Sequence, residues 1–269
     1  MPEYMYTRDG DAFIPTRHAG SPWSATSQHG GPVNALFMRT MEKTVEDTGM
    51  RVARLTVDIL KPVPMAPLTV TATVRRQGRS MATIDAELTR LDDAAPIALA
   101  RSIALKVRED LETLFVPETE KLPGPEGLSG HDLISPERRK TGHPGFHLSV
   151  EVRTTGDGDK RIIWFTSPLD LVDGEIMTPT QRVAAFCDVT TIVSGRLQKS
   201  PPGGWDNTMH FPMLNTDSTM HLFRPPVGVW FGFSNSFIAD NQGIGVAEVA
   251  LHDERGSLGR SAQTVTSLT

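Results

Sequence analysis

Hydrophobic positions along the chain fall into two successive patterns, and the pair of patterns occurs twice. In GGPVNALFMRTMEKTVEDTG, residues 30–49, Val33, Leu36, Phe37, Met41 and Val45 lie on one stripe of a predicted helix, with Pro32 just inside its start and Gly49 just past its end. Runs rich in β-branched residues follow: RLTVDILKPVP, LTVTATVRRQG, MATIDAELTRL and IALARSIALKVRE. Short polar or proline-containing turns separate them, which predicts an antiparallel meander of about four strands.

The second half repeats the plan. KRIIWFTSPL predicts a strand, TPTQRVAAFCDVTTIVSGRL a single helix apolar almost all round, and STMHLFRPP, VWFGFSNSFIA, GIGVAEVALHD and LGRSAQTVTSL the strands after it. LTVDILKP at 55–62 aligns with STMHLFRP at 218–225 through its Thr and its basic-Pro end, and Arg101-Ser102 aligns with Arg260-Ser261. Between the halves, residues 109–147 carry Pro117, Pro123, Pro125, Pro136 and Pro144 among glycines and charges, without sustained periodicity; that is linker composition. The expected division is a first repeat at 1–108, a linker at 109–147 and a second repeat at 148–269. A long apolar helix with an antiparallel sheet able to enclose it is an α+β layer arrangement, here in tandem.

Composition narrows the function. The 269 residues suffice for one large or two smaller domains, and the net charge of −5 includes no Lys or Arg block that could track nucleic acid or an anionic membrane. The single cysteine, Cys187, excludes an intrachain disulfide. MPEYMYTRDGDAF at the start lacks the apolar run of a signal peptide, and no stretch approaches a membrane span. The expectation is a cytoplasmic protein with a small or neutral partner.

Thr178-Pro179-Thr180-Gln181 fits a capping box, so the second helix has a firm start. Counted from it, Asp188 falls in the third turn beside the small residues Ala184, Cys187 and Thr191. A buried carboxylate must be paired, protonated or facing a wet cavity. It either meets an Arg or backbone donor, a structural role, or acts as a general base in a pocket. Gln263 lies in a strand whose alternation is weak, and the pattern alone reads it as solvated; Asn215, before a strand, reads as an Asx turn. In QHGGPVNAL, Gly30 and Gly31 stand before a helix, where free N–H groups favour developing negative charge, although a plain flexible cap gives the same letters.

Several chemistries are unsupported. GFSNS at 232–236 is the nearest approach to a G-x-S-x-G elbow, but Ser234 sits mid-strand. No metal-ligand spacing, P-loop or dinucleotide fingerprint occurs, so neither a metal nor a cofactor is expected. Cys187 reads as a small core hydrophobe. WDNTMH at 205–210 departs in spacing from the Asp/Asn/His cluster of hotdog hydratases.

HGGPVNALFMR, DILKPVPMAPLTV, WFTSPLDLVDGEIMTPTQRVAAFCD, STMHLFRPPVGVWF and GIGVAEVALHDERGSLGRSAQTV together resemble the acyl-CoA thioesterase II group of the double-hotdog thioesterases, over nearly the whole chain outside the linker. The resemblance implies a tandem double hotdog, each repeat a long helix wrapped by an antiparallel β-sheet, that hydrolyses acyl-CoA thioesters without a covalent intermediate. In that family an Asp on the second helix, a Thr or Ser before the following strand and a Gln on the last strand orient the attacking water. By position these are Asp188, Asn215 and Gln263, with Asn215 standing where the family has a hydroxyl. Thr216 is adjacent, but a one-residue shift on a strand changes the face.

In the mechanism expected, Asp188 takes a proton from a water held by Gln263 and Asn215, and N–H groups near Gly30 and Gly31 stabilise the oxyanion. Asn215 favours a rival, a non-catalytic acyl-CoA or lipid-binding protein on the same fold; a hydratase or acyltransferase is a further alternative. Remaining sheet edges and apolar faces predict a homo-oligomer.

Overall fold

Before the first helical pattern, the chain forms a hairpin that the periodicity does not predict, β1 (Tyr4–Asp9) and β2 (Ala12–Pro15). The structure is a computed structural model and describes residues 3–113, 115, 124–156, 160–199 and 213–267. The predicted helix is α1 (Gly30–Val45), with Val33, Leu36, Phe37 and Met41 fully buried. A short 3₁₀ turn at Glu46–Thr48 comes next, and Gly49 turns the chain at φ +65°, a left-handed conformation that favours glycine. The meander is β3 (Met50–Ile59), β4 (Leu68–Gln77), β5 (Met81–Arg90) and β6 (Asp93–Lys106). In β5 the alternate residues Ala82, Ile84, Ala86 and Leu88 are buried, the signature of a strand with one face on the core. α1 packs across all four strands.

Within the stretch of linker composition lie β7 (His131–Asp132), α2 (Pro136–Thr141) and the start of a 3₁₀ turn at Phe146–Leu148. Then come β8 (Glu151–Thr155), β9 (Ile162–Thr166) and β10 (Asp170–Val172). The predicted second helix is two helices, α3 (Pro179–Cys187) and α4 (Thr190–Lys199). The remaining strands are β11 (Met213–Asn215), β12 (Asp217–Leu222), β13 (Phe231–Asn241), β14 (Ile244–Asp253) and β15 (Gly256–Ser267). WDNTMH at 205–210 lies outside the described residues.

The described strands form one sheet in the order β10-β1-β2-β4-β5-β6-β3-β12-β15-β14-β13-β9-β8-β7, with β11 on β15. Among them only β1 and β10 pair in parallel. The halves fuse where β3 meets β12, and there Thr56 stands opposite Thr219 with their hydroxyls 3.1 Å apart. These are the two threonines that align between the halves of the sequence. α4 packs on β13, β14 and β15, while α3 lies along α1 in the opposite direction: Gly31 at the start of α1 faces Ala185, and Glu42 near its end faces Thr178. Among the described residues no helix is long and apolar enough to cross a membrane.

Candidate active site

The start of α3 has the geometry expected of a capping box. Thr178 Oγ1 accepts from the Gln181 N–H at 3.1 Å and Gln181 Oε1 accepts from the Thr178 N–H at 3.4 Å. The expectation of one unbroken helix fails nine residues on, because the chain turns at Asp188–Val189. Asp188 is therefore the C-cap of α3 and not a mid-helix residue.

The hydrogen bonds explain the break. The Val189 N–H closes a tighter turn onto Phe186 O at 3.0 Å, and the Thr190 hydroxyl donates to Cys187 O at 2.8 Å. A run of five β-branched residues, Val189 to Val193, begins at the break and has low helix propensity, and the Thr190 hydroxyl competes for a helix carbonyl there. Gln263 fills the gap from β15. Its Nε2 donates to Cys187 O at 3.2 Å and to Asp188 O at 3.1 Å, while its Oε1 accepts from the Thr191 N–H at 2.9 Å and the Thr191 hydroxyl at 2.7 Å. Both amide donors and both acceptor positions are thus taken within the protein. The solvated Gln263 expected from strand pattern alone is corrected: the residue is 1% exposed, since β15 turns Ser261, Gln263 and Val265 to the core.

The Asp188 carboxylate meets no Arg. Its Oδ1 accepts from Asn215 Nδ2 at 3.1 Å, and its Oδ2 lies 2.8 Å from His29 Nδ1; both side chains of the latter pair are 9% exposed. Asn215 arrives on β11, whereas Thr216 turns its hydroxyl to Thr264 O on the exposed side. Gly30 closes against the same carboxylate, where a Cβ would overlap it, and a Cβ on Gly31 would stand 2.7 Å from Ala185 O. The plain flexible cap is therefore also corrected. The N-cap of α1 is His29, and the two glycines let one helix start touch the end of another. Of the residues selected from sequence, Asp188, Asn215, Gly30 and Gly31 converge directly, and Gln263 reaches the site through the Asp188 backbone.

Sequence reasoning misses two residues of the site. His29 enters it only as a neighbour of the glycines; its position directly before Gly-Gly at a helix start is the available signal. It is held by its backbone N–H on Ala19 O at 2.9 Å, and the preceding Gln28 is fixed by the Tyr6 hydroxyl at 2.6 Å and by Pro64 O at 2.7 Å. His147 belongs to the stretch of linker composition. Gly145 crosses Gly20 so closely that neither tolerates a side chain, and this brings Phe146 and His147 onto the His29 ring, at centroid distances of 5.3 and 6.2 Å. Burial, aided by the neighbouring His29, pushes the His147 imidazole down to about 3, so it is neutral near pH 7.

Other chemistry is unsupported by the geometry. Burial pushes the Cys187 thiol up to about 12, which leaves no thiolate nucleophile. Ser234 and His252 do pair at 2.7 Å, but both are buried within adjacent strands and flank no part of this site. No group of three or more His, Cys, Asp or Glu side chains among the described residues could hold a metal ion.

Comparison with known proteins identifies the family. Residues 19–105 match the family model described as the acyl-CoA thioesterase N-terminal domain, and residues 109–267 match the acyl-CoA thioesterase C-terminal domain. No curated protein matches the chain. Among solved structures, a candidate thioesterase from Novosphingobium aromaticivorans is 19% identical over 98% of both chains, with a TM-score of 0.72. The tesB protein of Mycobacterium avium subs paratuberculosis is 15% identical over 97% of this chain and 95% of its own, with a TM-score of 0.64. A conserved protein from Alicyclobacillus acidocaldarius with a hot dog fold is 15% identical over 98% and 96%, with a TM-score of 0.65.

Proposed function

This chain belongs to the acyl-CoA thioesterase family, whose members are thioester hydrolases, and from that premise we propose that it cleaves an acyl-CoA to the free acid and CoA through a water activated at Asp188. The observation that carries the reading is the convergence of Asp188, Asn215 and the Gly30-Gly31 helix start on one point between the two halves. A thiolate leaves readily, so water suffices as nucleophile and no covalent intermediate is needed. Asp188 supplies the negative charge on which proton removal depends. Asn215 fixes one of its oxygens with an amide N–H, the role that a hydroxyl fills elsewhere in the family. Gln263 is a positioning residue, splinting the turn that aims Asp188. The N–H groups of the first turn of α1 lack helical acceptors, and Gly30 and Gly31 are assigned as the donors for the oxyanion; the Gly31 N–H, which points at His29 Nδ1 from 3.1 Å, must turn from that nitrogen to serve.

The same reading takes the two halves, 1–108 and 148–269 around the 109–147 linker, as tandem hotdog repeats; the pairing of Thr56 with Thr219 supports it. Exposed Phe223 just past β12, Phe237 on β13 and Ile244 on β14 support a homo-oligomer. The rival, an acyl-CoA or lipid-binding protein without turnover, rests on Asn215.

Thiol release from short, medium, long and aromatic acyl-CoAs separates the two. Turnover is expected with at least one of them, and Asp188→Asn should lower kcat by a factor of about 100 to 10,000 with the fold intact. Binding without thiol release on every substrate, or full activity in D188N, would overturn the hydrolytic mechanism.

A further inference from the structure

The imidazole of His29 lies against Asp188, and its Nδ1 has two neighbours. Asp188 Oδ2 is 2.8 Å away, and the Gly31 N–H points at the same nitrogen from 3.1 Å. A ring nitrogen has one in-plane position, so the two contacts exclude each other as hydrogen bonds. The shorter contact, to a carboxylate, decides the tautomer: a bare Nδ1 lone pair against that oxygen would be repulsive, whereas Nδ1–H makes a charge-assisted bond. The proton therefore sits on Nδ1, and the Gly31 N–H loses that nitrogen as an acceptor. Nδ1 carries both polar contacts of the ring among the described residues, which leaves Nε2 with a lone pair and no protein partner.

From this geometry, and resting on the hydrolytic reading above, we infer that His29 Nε2 is the atom that takes the proton from water, with Asp188 acting through it. Asp188 holds the imidazole in the Nδ1–H form and stabilises the imidazolium that develops, the division of labour of a carboxylate–imidazole pair. Water oxygen bonds to the thioester carbon as one water proton moves to Nε2. The carbonyl π pair moves onto oxygen, where the Gly30 and Gly31 N–H groups face it. As the intermediate collapses, the C–S bond breaks with its electron pair on sulfur, and Nε2–H returns the proton to give the CoA thiol. The carboxylic acid then loses its own proton to solvent.

The surroundings suit an imidazolium that forms and disappears. Phe146 meets the ring edge-on at 5.3 Å, and the neighbouring His147 is neutral, so it adds no positive charge beside the one that develops. Direct proton transfer to Asp188 has less room. Each carboxylate oxygen already has a donor, and Gly30 closes one side of the group.

His29→Asn separates the two routes, because the Asn amide nitrogen stands near the place of Nδ1. The variant keeps a good N-cap and a donor to Asp188 but has no nitrogen that takes a proton. Thiol release is measured for the wild type, H29N and D188N with acetyl-, octanoyl-, palmitoyl- and phenylacetyl-CoA. The expected result for H29N is a kcat lower by about 100-fold or more, with KM within about threefold and an unchanged melting temperature. In the wild type, ¹⁵N NMR of the imidazoles should find His29 protonated at Nδ1 and bare at Nε2. Loss of activity in D188N with kcat retained in H29N overturns this inference alone, as does the opposite tautomer in the wild type. No thiol release by the wild type on any of the four substrates overturns the hydrolytic reading and this inference with it.

Discussion

The antiparallel pair α1 and α3 presents a carboxylate at each end, and the two ends differ. At one, Asp188 from the end of α3 faces the first turn of α1; at the other, Glu42 from α1 faces the first turn of α3. Glu42 accepts from the Thr178 hydroxyl at 3.0 and 3.2 Å and from Gln181 Nε2 at 2.7 Å, members of the capping box themselves. It borders a cavity of about 170 Å³ lined mostly by apolar residues such as Val45, Met50, Val52 and Leu222. At the Asp188 end the helix start is His-Gly-Gly, so an imidazole meets the carboxylate and the first two helical positions carry no side chain of their own. A carboxylate placed against a helix start is thus common to both ends. On the proposed function, what separates a structural lock from a reaction centre is the residue at the N-cap and the bulk of the first turn.

Added bulk should break the difference between the ends most strongly. Gly30→Ala places a methyl group in the Asp188 carboxylate, and a displaced reacting group is expected to lower kcat by about 100-fold. Thr180→Val at the matching end should leave kcat within about twofold. Equal losses in steady-state kinetics would mean that the two ends are not functionally distinct.

A smaller effect concerns the break between α3 and α4, for which α1 has no counterpart. Gln263→Leu removes four hydrogen bonds and leaves Asp188 O, the Thr191 N–H and the Thr191 hydroxyl wanting partners, while Cys187 O keeps the Thr190 hydroxyl. Urea unfolding should detect a loss of about 2 to 4 kcal/mol, with activity falling as the Asp188 turn loosens. An unchanged unfolding midpoint would remove Gln263 from the positioning role.

The smallest effect is in pH dependence, where the ends have opposite signs. Burial holds His147 far below its ordinary value, so its contribution is full above about pH 6.5 and is lost as pH falls toward about 3. Burial raises Glu42, partly offset by hydrogen bonds from Gln181, Thr178 and Thr180, so its contribution is full in acid and is lost as pH rises through its folded value. Acidification from about pH 7 to about pH 4.5 should therefore destabilise His147→Phe less, and Glu42→Gln more, than the wild type. Urea midpoints at the two pH values measure both slopes.

The legibility of this protein in its sequence depends on the range of the forces involved. Val33, Leu36, Phe37 and Met41 announce α1 because a buried stripe must repeat with the helix, and Gly49 marks its end because the turn there needs positive φ. Asp188 is legible as a carboxylate out of place, and the family resemblance draws in Asn215 and Gln263. His29 and His147 are not legible. The first looks like any polar residue before Gly-Gly, and the second lies in a stretch whose composition reads as linker. The helix break is hidden because Val189 and Thr190 fit a helical stripe until Gln263 and the threonine hydroxyl offer the backbone a better set of partners.

The sequence by itself determined the α+β character with a helix and an antiparallel meander, the capping box at Thr178 and the presence of one carboxylate out of place on a core helix. Local propensity and hydrophobic period act within a few residues and leave their record in the letters. Only the tertiary structure decided that Asp188 caps its helix, that Gly30 and His29 from the other half close upon it, and that Gln263 faces inward to hold the turn. Those choices depend on contacts between residues more than 70 positions apart, and they are fixed when burial forces the polar groups of Asp188 and Gln263 to find partners.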